Sequence, residues 1–135
     1  MKKTGIELLL LRVAVAGIYL YHGLPKALDW SMAATKFEAM GFPGFLGPTI
    51  GIVEVIAATL ILVGAWHRWA NYALAGVITV AIFCVQVPAT MTAGKLVPGL
   101  ERDLLLLLSH VVLLWHGPGR LSLFRSSREE QPQQP

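Results

Sequence analysis

Charge is scarce in this chain. Only 14% of its 135 residues are Asp, Glu, Lys or Arg, against about 25% in ordinary soluble domains, which argues against a soluble globular fold. Cysteine is scarcer still, and the single Cys84 leaves no intramolecular disulfide and no CxxC redox couple. Neither metal-ligand spacing nor a Gly-rich phosphate loop occurs, so no metal centre is expected. Basic residues stand singly between apolar stretches, and a net charge of +3 so distributed is not that of a nucleic-acid binder. What the chain has in abundance is apolar sequence, at 55% of all residues. Its length allows one domain.

The stretch that organises the rest is PTIGIVEVIAATLILVGAW, Pro48 to Trp66, with one acid, Glu54, inside it. Crossing a bilayer takes about 20 mostly apolar residues. Its nine Ile, Leu and Val residues supply about −3 to −5 kcal/mol of insertion free energy, against about 2.5–3.5 for one central charge. The segment therefore inserts and carries Glu54 with it, facing protein or a wet cavity.

Three further spans are predicted: Ile6 to His22, Trp69 to Val87 and Glu101 to His116. Glu7 and Arg12 interrupt the first too early for a cleaved signal peptide. Pro25 is expected to distort or end that helix. Ser31 can cap a short helix over Met32 to Met40 with Gly41 beyond its end, lying at the membrane surface or over the bundle mouth. Gly47 and Gly51 form a small-residue pair for close helix contact, and Ala73 and Gly76 are small packing positions in the third span. Pro88 to Gly99 reads as a loop. The expected fold is all-α: a four-transmembrane-helix bundle over residues 1–123, with a short interfacial helix in the first extracytoplasmic loop. A disordered polar tail is expected over 124–135.

Lys2, Lys3, Arg68, Arg120, Arg125 and Arg128 fall on one side of such a bundle, and Lys26, Lys36, Lys95 and Arg102 on the other. The positive-inside rule then places both termini in the cytoplasm, and Trp66, Trp69 and Trp115 mark the same interface. Counted at 1.5 Å per residue, Glu54 lies about 9 Å below Pro48, in the outer half. His22, Lys26, Gln86 and the triplet Glu101-Arg102-Asp103 gather at that outer end. On the first helix Tyr19, Lys26 and His22 fall about 20°, 40° and 80° to one side of Arg12, forming a polar stripe.

Arg12 is about 15 Å deeper than His22 and meets Glu54 only by extending upward. An Arg12–Glu54 pair is one way to hold both charges in the membrane. Such a pair can simply fix helix register, and acids at a helix start are often caps. The alternative is a small outward-opening pocket with Arg12, Tyr19, His22, Lys26, Glu54 and Glu101 as candidate ligand-binding residues and no assignable catalytic residue. His110 is expected to hydrogen-bond across helices, with Ser109 beside it. Cys84 is read as a packing residue.

These residues also carry a resemblance. The run LLRVAVAGIYLYHGLPKAL, the block FEAMGFPGFLGPTIGIVEVIAATLILVGAWHRWA and the close ERDLLLLLSHVVLLWHGPGRLSL are similar, in that order, to the DoxX family of small four-helix bacterial membrane proteins. Glu54 stands in the family's acid position, while Phe124 departs from the Asp common after SL. The resemblance implies a multi-pass protein of the bacterial cytoplasmic (inner) membrane. It points to Arg12, His22, Lys26, Glu54 and Glu101, and to quinone-linked redox systems whose partner subunits supply metal or flavin chemistry. The expected function is a small membrane subunit of such a system, with a quinone as its non-covalent ligand. A redox partner subunit or a homo-oligomer is the expected assembly. A non-enzymatic scaffold for a partner protein and a proton-coupled small-molecule carrier are the other expectations.

Overall fold

The computed structural model describes residues 5–123. They form α1 (Ile6–Leu28), α2 (Trp30–Ala39), α3 (Leu46–Val63), α4 (His67–Ala81), a π-helical turn (Ile82–Gln86), α5 (Val87–Ala93) and α6 (Pro98–His116). No strand occurs among the described residues. The polar tail expected over 124–135 lies outside them.

Among the described residues, three helical segments are long and apolar enough to cross a membrane: Ile6–Leu28, Leu46–Val63 and the continuous run His67–Ala93. The 19-residue α6 has the length as well. It stands apart because Glu101, Arg102 and Asp103 all fall in its first turns. The four long helices are nevertheless arranged as a bundle, α1 against α3, α3 against α4, and α4 against α6, with a sparse junction between α6 and α1. Their buried faces meet through Val15, Ala16 and Tyr19 of α1, Ala57, Ala58 and Ile61 of α3, Leu74 and Ile78 of α4, and Leu106 and Leu113 of α6.

Neither proline ends its helix. Pro25 does not end α1, which continues to Leu28, where the Asp29 N–H returns to Pro25 O at 3.0 Å. Pro88 does not open a loop either. The Val87 N–H reaches back to Ile82 O, an i→i−5 bond that widens the helix just before the proline. Pro88, with no N–H to place, then sits in the first turn of α5. The α2 cap is also displaced: it is Asp29, not Ser31, whose Oδ1 accepts from the Met32 N–H at 2.9 Å. Likewise the second span ends at Val63, short of Trp66, and the turn into α4 is Gly64–Trp66. Gly64 takes a left-handed conformation (φ 79°), letting its N–H bond Leu60 O at 2.9 Å and close α3.

The Gly47/Gly51 pair does bring helices together. A Cβ at Gly51 would lie 2.6 Å from Lys26 Cβ and 2.7 Å from Ala27 N, so only glycine lets α1 approach α3 there. At Gly47 the obstacle is the Ala33 carbonyl of α2. Ala73 and Gly76, by contrast, face outward rather than into a helix contact, and a Cβ on Gly76 would meet open space.

Candidate functional site

At one end of the bundle the close α1–α3 approach sets Lys26 beside Glu54, with Nζ 2.6 Å from Oε2. Glu54 is 6% exposed, while the Lys26 side chain keeps 21% of its surface open. The carboxylate is thus paired from α1, but by Lys26 and not by Arg12. A second polar group comes from α6. Arg102 Nε donates to Asp103 Oδ1 at 2.8 Å, and Gln86 Nε2 at the π-helical turn donates to Asp103 Oδ2 at 3.0 Å. Arg102 Nη1 also reaches His22 Nε2 at 3.2 Å, joining α6 to α1. Asp103, fully buried, is therefore held by donors on both of its oxygens.

Both groups line one cavity of about 300 Å³. Most of its polar lining, Tyr19, His22, Lys26, Glu54, Gln86, Arg102 and Asp103, lies on one side, with Lys36 of α2 as a further cation at the edge; the apolar wall comes mainly from α2, α3 and α4. Phe37 and Phe42, with ring centroids 6.1 Å apart, lie over it from α2 and the loop that follows. Of the six expected pocket residues, four line this cavity: Tyr19, His22, Lys26 and Glu54. Glu101 is exposed and turned away from it.

Arg12 is at the other end. Its Nε donates to Ile61 O at 2.9 Å, Nη2 to Leu62 O at 2.5 Å and Nη1 to Pro118 O at 2.6 Å. Ile61 and Leu62 are among the last residues of α3, whose carbonyls lack the i+4 donor of a helix interior and carry the negative end of the helix dipole. Arg12 satisfies them and ties the returning segment after α6 to the same point. An Arg12–Glu54 pair is thereby ruled out in this arrangement, because the guanidinium is fully engaged on backbone.

Between the two ends runs a buried chain. Asn71 Nδ2 donates to His67 O at 2.7 Å, which leaves Asn71 Oδ1 to accept from His110 Nδ1 at 2.7 Å. In the neutral ring His110 Nε2 is then the acceptor for the Tyr19 hydroxyl, 2.9 Å away. The cross-helix bonding expected of His110 is present, though Ser109 bonds back to Leu105 O on its own helix and takes no part. Cys84 is exposed on the outside of the π-helical turn rather than packed.

Asp103, Arg102 and Gln86 were legible only as polar groups at the outer end. A sharper signal was available: Asp103, Leu106, His110 and Leu113 recur at helical spacing, and all four are buried. An acid on that stripe is a pocket residue rather than a solvated cap.

The DoxX family profile matches residues 7–87, more than half of the chain. The chain belongs to the DoxX family. Among curated proteins, the uncharacterized membrane protein Rv3486 of Mycobacterium tuberculosis is 32% identical over 128 residues, covering 85% of this chain and 77% of its own length. The Bacillus subtilis protein named "Putative oxidoreductase CatD" is 30% identical over 122 residues, covering 90% of this chain and 87% of its own. No solved structure matches. The DoxX match spans the parts of α1, α3 and the π-helical turn that contribute His22, Lys26, Glu54 and Gln86 to the cavity. It stops short of α6, which contributes Arg102 and Asp103.

Proposed function

We propose that this DoxX protein is a small membrane subunit of a quinone-linked redox system, and that the Lys26–Glu54 cavity receives the quinone head. The observation that carries the reading is the cavity's division into a charged, hydrogen-bonding wall and an apolar wall. A quinone ring asks for both: donors for its carbonyl oxygens and apolar surface for its face. About 300 Å³ is at the small end of ligand pockets and suits a single ring. Lys26 has N–H groups beyond the one turned to Glu54 and can donate to a carbonyl oxygen, as can Arg102 at the His22 side. Glu54 would take one of the two protons released when a quinol is oxidised, and the other would leave to water past the exposed His22. The two electrons would pass to a partner subunit carrying a flavin or metal centre. The oxidoreductase name of the Bacillus subtilis relative supports a redox setting in general terms.

In this reading α6 is the fourth span. Its three charges are compatible with that, since Asp103 is buried between Arg102 and Gln86 while Glu101 faces out at the helix start. Beyond them the outward face is apolar, with Leu104, Leu105, Leu108, Val111 and Val112 exposed. Four spans put both termini in the cytoplasm of a bacterial cell, the cavity in the outer half of the inner membrane, and α2 at the outer interface. Exposed Trp66, Trp69 and Trp115 then form the cytoplasmic belt.

The test is binding of a chain-free methylated benzoquinone to the purified protein in nanodiscs. Wild type should bind. Lys26→Met should weaken binding by about tenfold, the worth of one charged hydrogen bond. A folded wild-type protein that binds no quinone would overturn the reading and leave a scaffold.

A further inference from the structure

A cavity of about 300 Å³ holds a ring and little more, whereas the membrane pool of such molecules carries long apolar chains. If the head sits on the polar wall, the chain must leave somewhere, and the lining residues differ in what they open onto. Most of the polar wall is buried or half-buried against neighbouring helices. On the apolar side Val80 of α4 both lines the cavity and is 53% exposed. Ile50 of α3 lines the same side from the facing helix, half-buried. Val80 precedes the π-helical turn by more than a residue, so the gap between Ile50 and Val80 lies below the level of Gln86, on the apolar flank of the bundle. Above it, α2 covers the cavity with Phe37, Met40 and the exposed, charged Lys36, which an apolar chain would avoid. The inner ends of α3 and α4 are held together by the Gly64–Trp66 turn and by packing of Ala58 and Ile61 near Leu74. The opening is therefore lateral: roofed by α2, closed below by the hairpin, and flanked by apolar residues.

We propose that this gap between α3 and α4 is a lateral portal, through which a ring carrying an isoprenoid or alkyl chain enters from the bilayer and along which its chain lies. The proposal rests on the quinone reading of the polar wall and adds the class of ligand, a tailed lipid-soluble one, and its route. A rival exit exists. A shallower furrow between α1 and α6, about 220 Å³, shares Ile18, Arg102 and Leu106 with the main cavity and opens past Leu105 and Ser109. Its continuation from the cavity passes Arg102, whose charge is engaged with Asp103 and His22, and an apolar chain threading there would strip polar groups of their surroundings. The α3–α4 gap imposes no such penalty.

The experiment compares the full chain in nanodiscs with Val80→Trp, which fills the portal from an exposed position, and Leu105→Trp, which fills the rival furrow from another. Each is titrated with the chain-free methylated benzoquinone and with its decyl homologue. The variant-to-wild-type ratio of Kd is taken for each ligand, so that partitioning of the chain into lipid cancels. The expected result is a decyl ratio for Val80→Trp about tenfold above its chain-free ratio, equivalent to about two buried methylenes lost, with both ratios near one for Leu105→Trp. A decyl-specific loss in Leu105→Trp instead would overturn the portal and move the chain to the α1–α6 furrow. Equal ratios for both ligands in both variants would also overturn it while leaving the polar wall's reading intact. Failure of wild type to bind even the chain-free ring would overturn the quinone reading itself, and the portal with it.

Discussion

Replacing Glu54 by Gln removes the one acid set within the second span and leaves Lys26 facing a neutral amide. Deleting one partner of a fully buried pair is worth about 3–5 kcal/mol, mostly because the remaining charge is stranded. Lys26 is not fully stranded here. A fifth of its side chain is open, 21% against 7% for Glu54, and its flexible stem can carry the ammonium toward the open end of the bundle. The loss in Glu54→Gln should therefore fall lower, at about 2–3 kcal/mol, still a large share of a typical protein's net stability. Adding Lys26→Met removes the orphaned charge and should restore at least half of it. The cycle of both singles and the double, read by thermal unfolding in detergent and by membrane abundance, should give a coupling of about 1–3 kcal/mol.

The same cycle run on Arg12 and Glu54 decides whether the geometry is right. Arg12→Met strips donors from Ile61 O, Leu62 O and Pro118 O, and should be strongly destabilising whatever stands at position 54. Since the two side chains share no partner, their effects should add to within about 0.5 kcal/mol. A larger coupling between Arg12 and Glu54 than between Lys26 and Glu54 would refute the reasoning, because it would mean that Arg12 leaves the α3 carbonyls and extends to the carboxylate.

Two further outcomes are expected. His110→Leu leaves Asn71 Oδ1 without its donor and the Tyr19 hydroxyl with only the long 3.5 Å contact to Leu74 O, and should cost about 1–3 kcal/mol; adding Asn71→Leu should return part of it, as unfolding in detergent will show. An alkaline phosphatase fused after Lys95 should be active and one fused after Pro135 inactive, whereas the reverse pattern would turn the cavity to the cytoplasmic side.

Composition and periodicity were enough for the helices, because insertion energetics depend on residues summed over a segment rather than on any one partner. The gathering of His22, Lys26, Gln86 and Arg102 at one end of the bundle was legible for the same reason: depth follows from counting along each helix. Prolines misled because their effect depends on the hydrogen bonds beside them, and an i→i−5 turn before Pro88 is invisible in a list of residues. Cys84, Ala73 and Gly76 were misplaced because a span apolar all round gives no sign of which face is inward. The pairing of charges lay furthest from reach. Depth alone already set Arg12 well below Glu54, yet it could not say where the guanidinium would find acceptors, since Pro118 reaches it only when the segment after α6 folds back onto the end of α3. Lys26 and Glu54 meet for an equally non-local reason. Their contact needs α1 and α3 to approach as closely as Gly51 permits, and a glycine in a span signals that an approach is possible without naming the helix that makes it. An ion pair inside a membrane is thus set less by the charges themselves than by the small residues beside them.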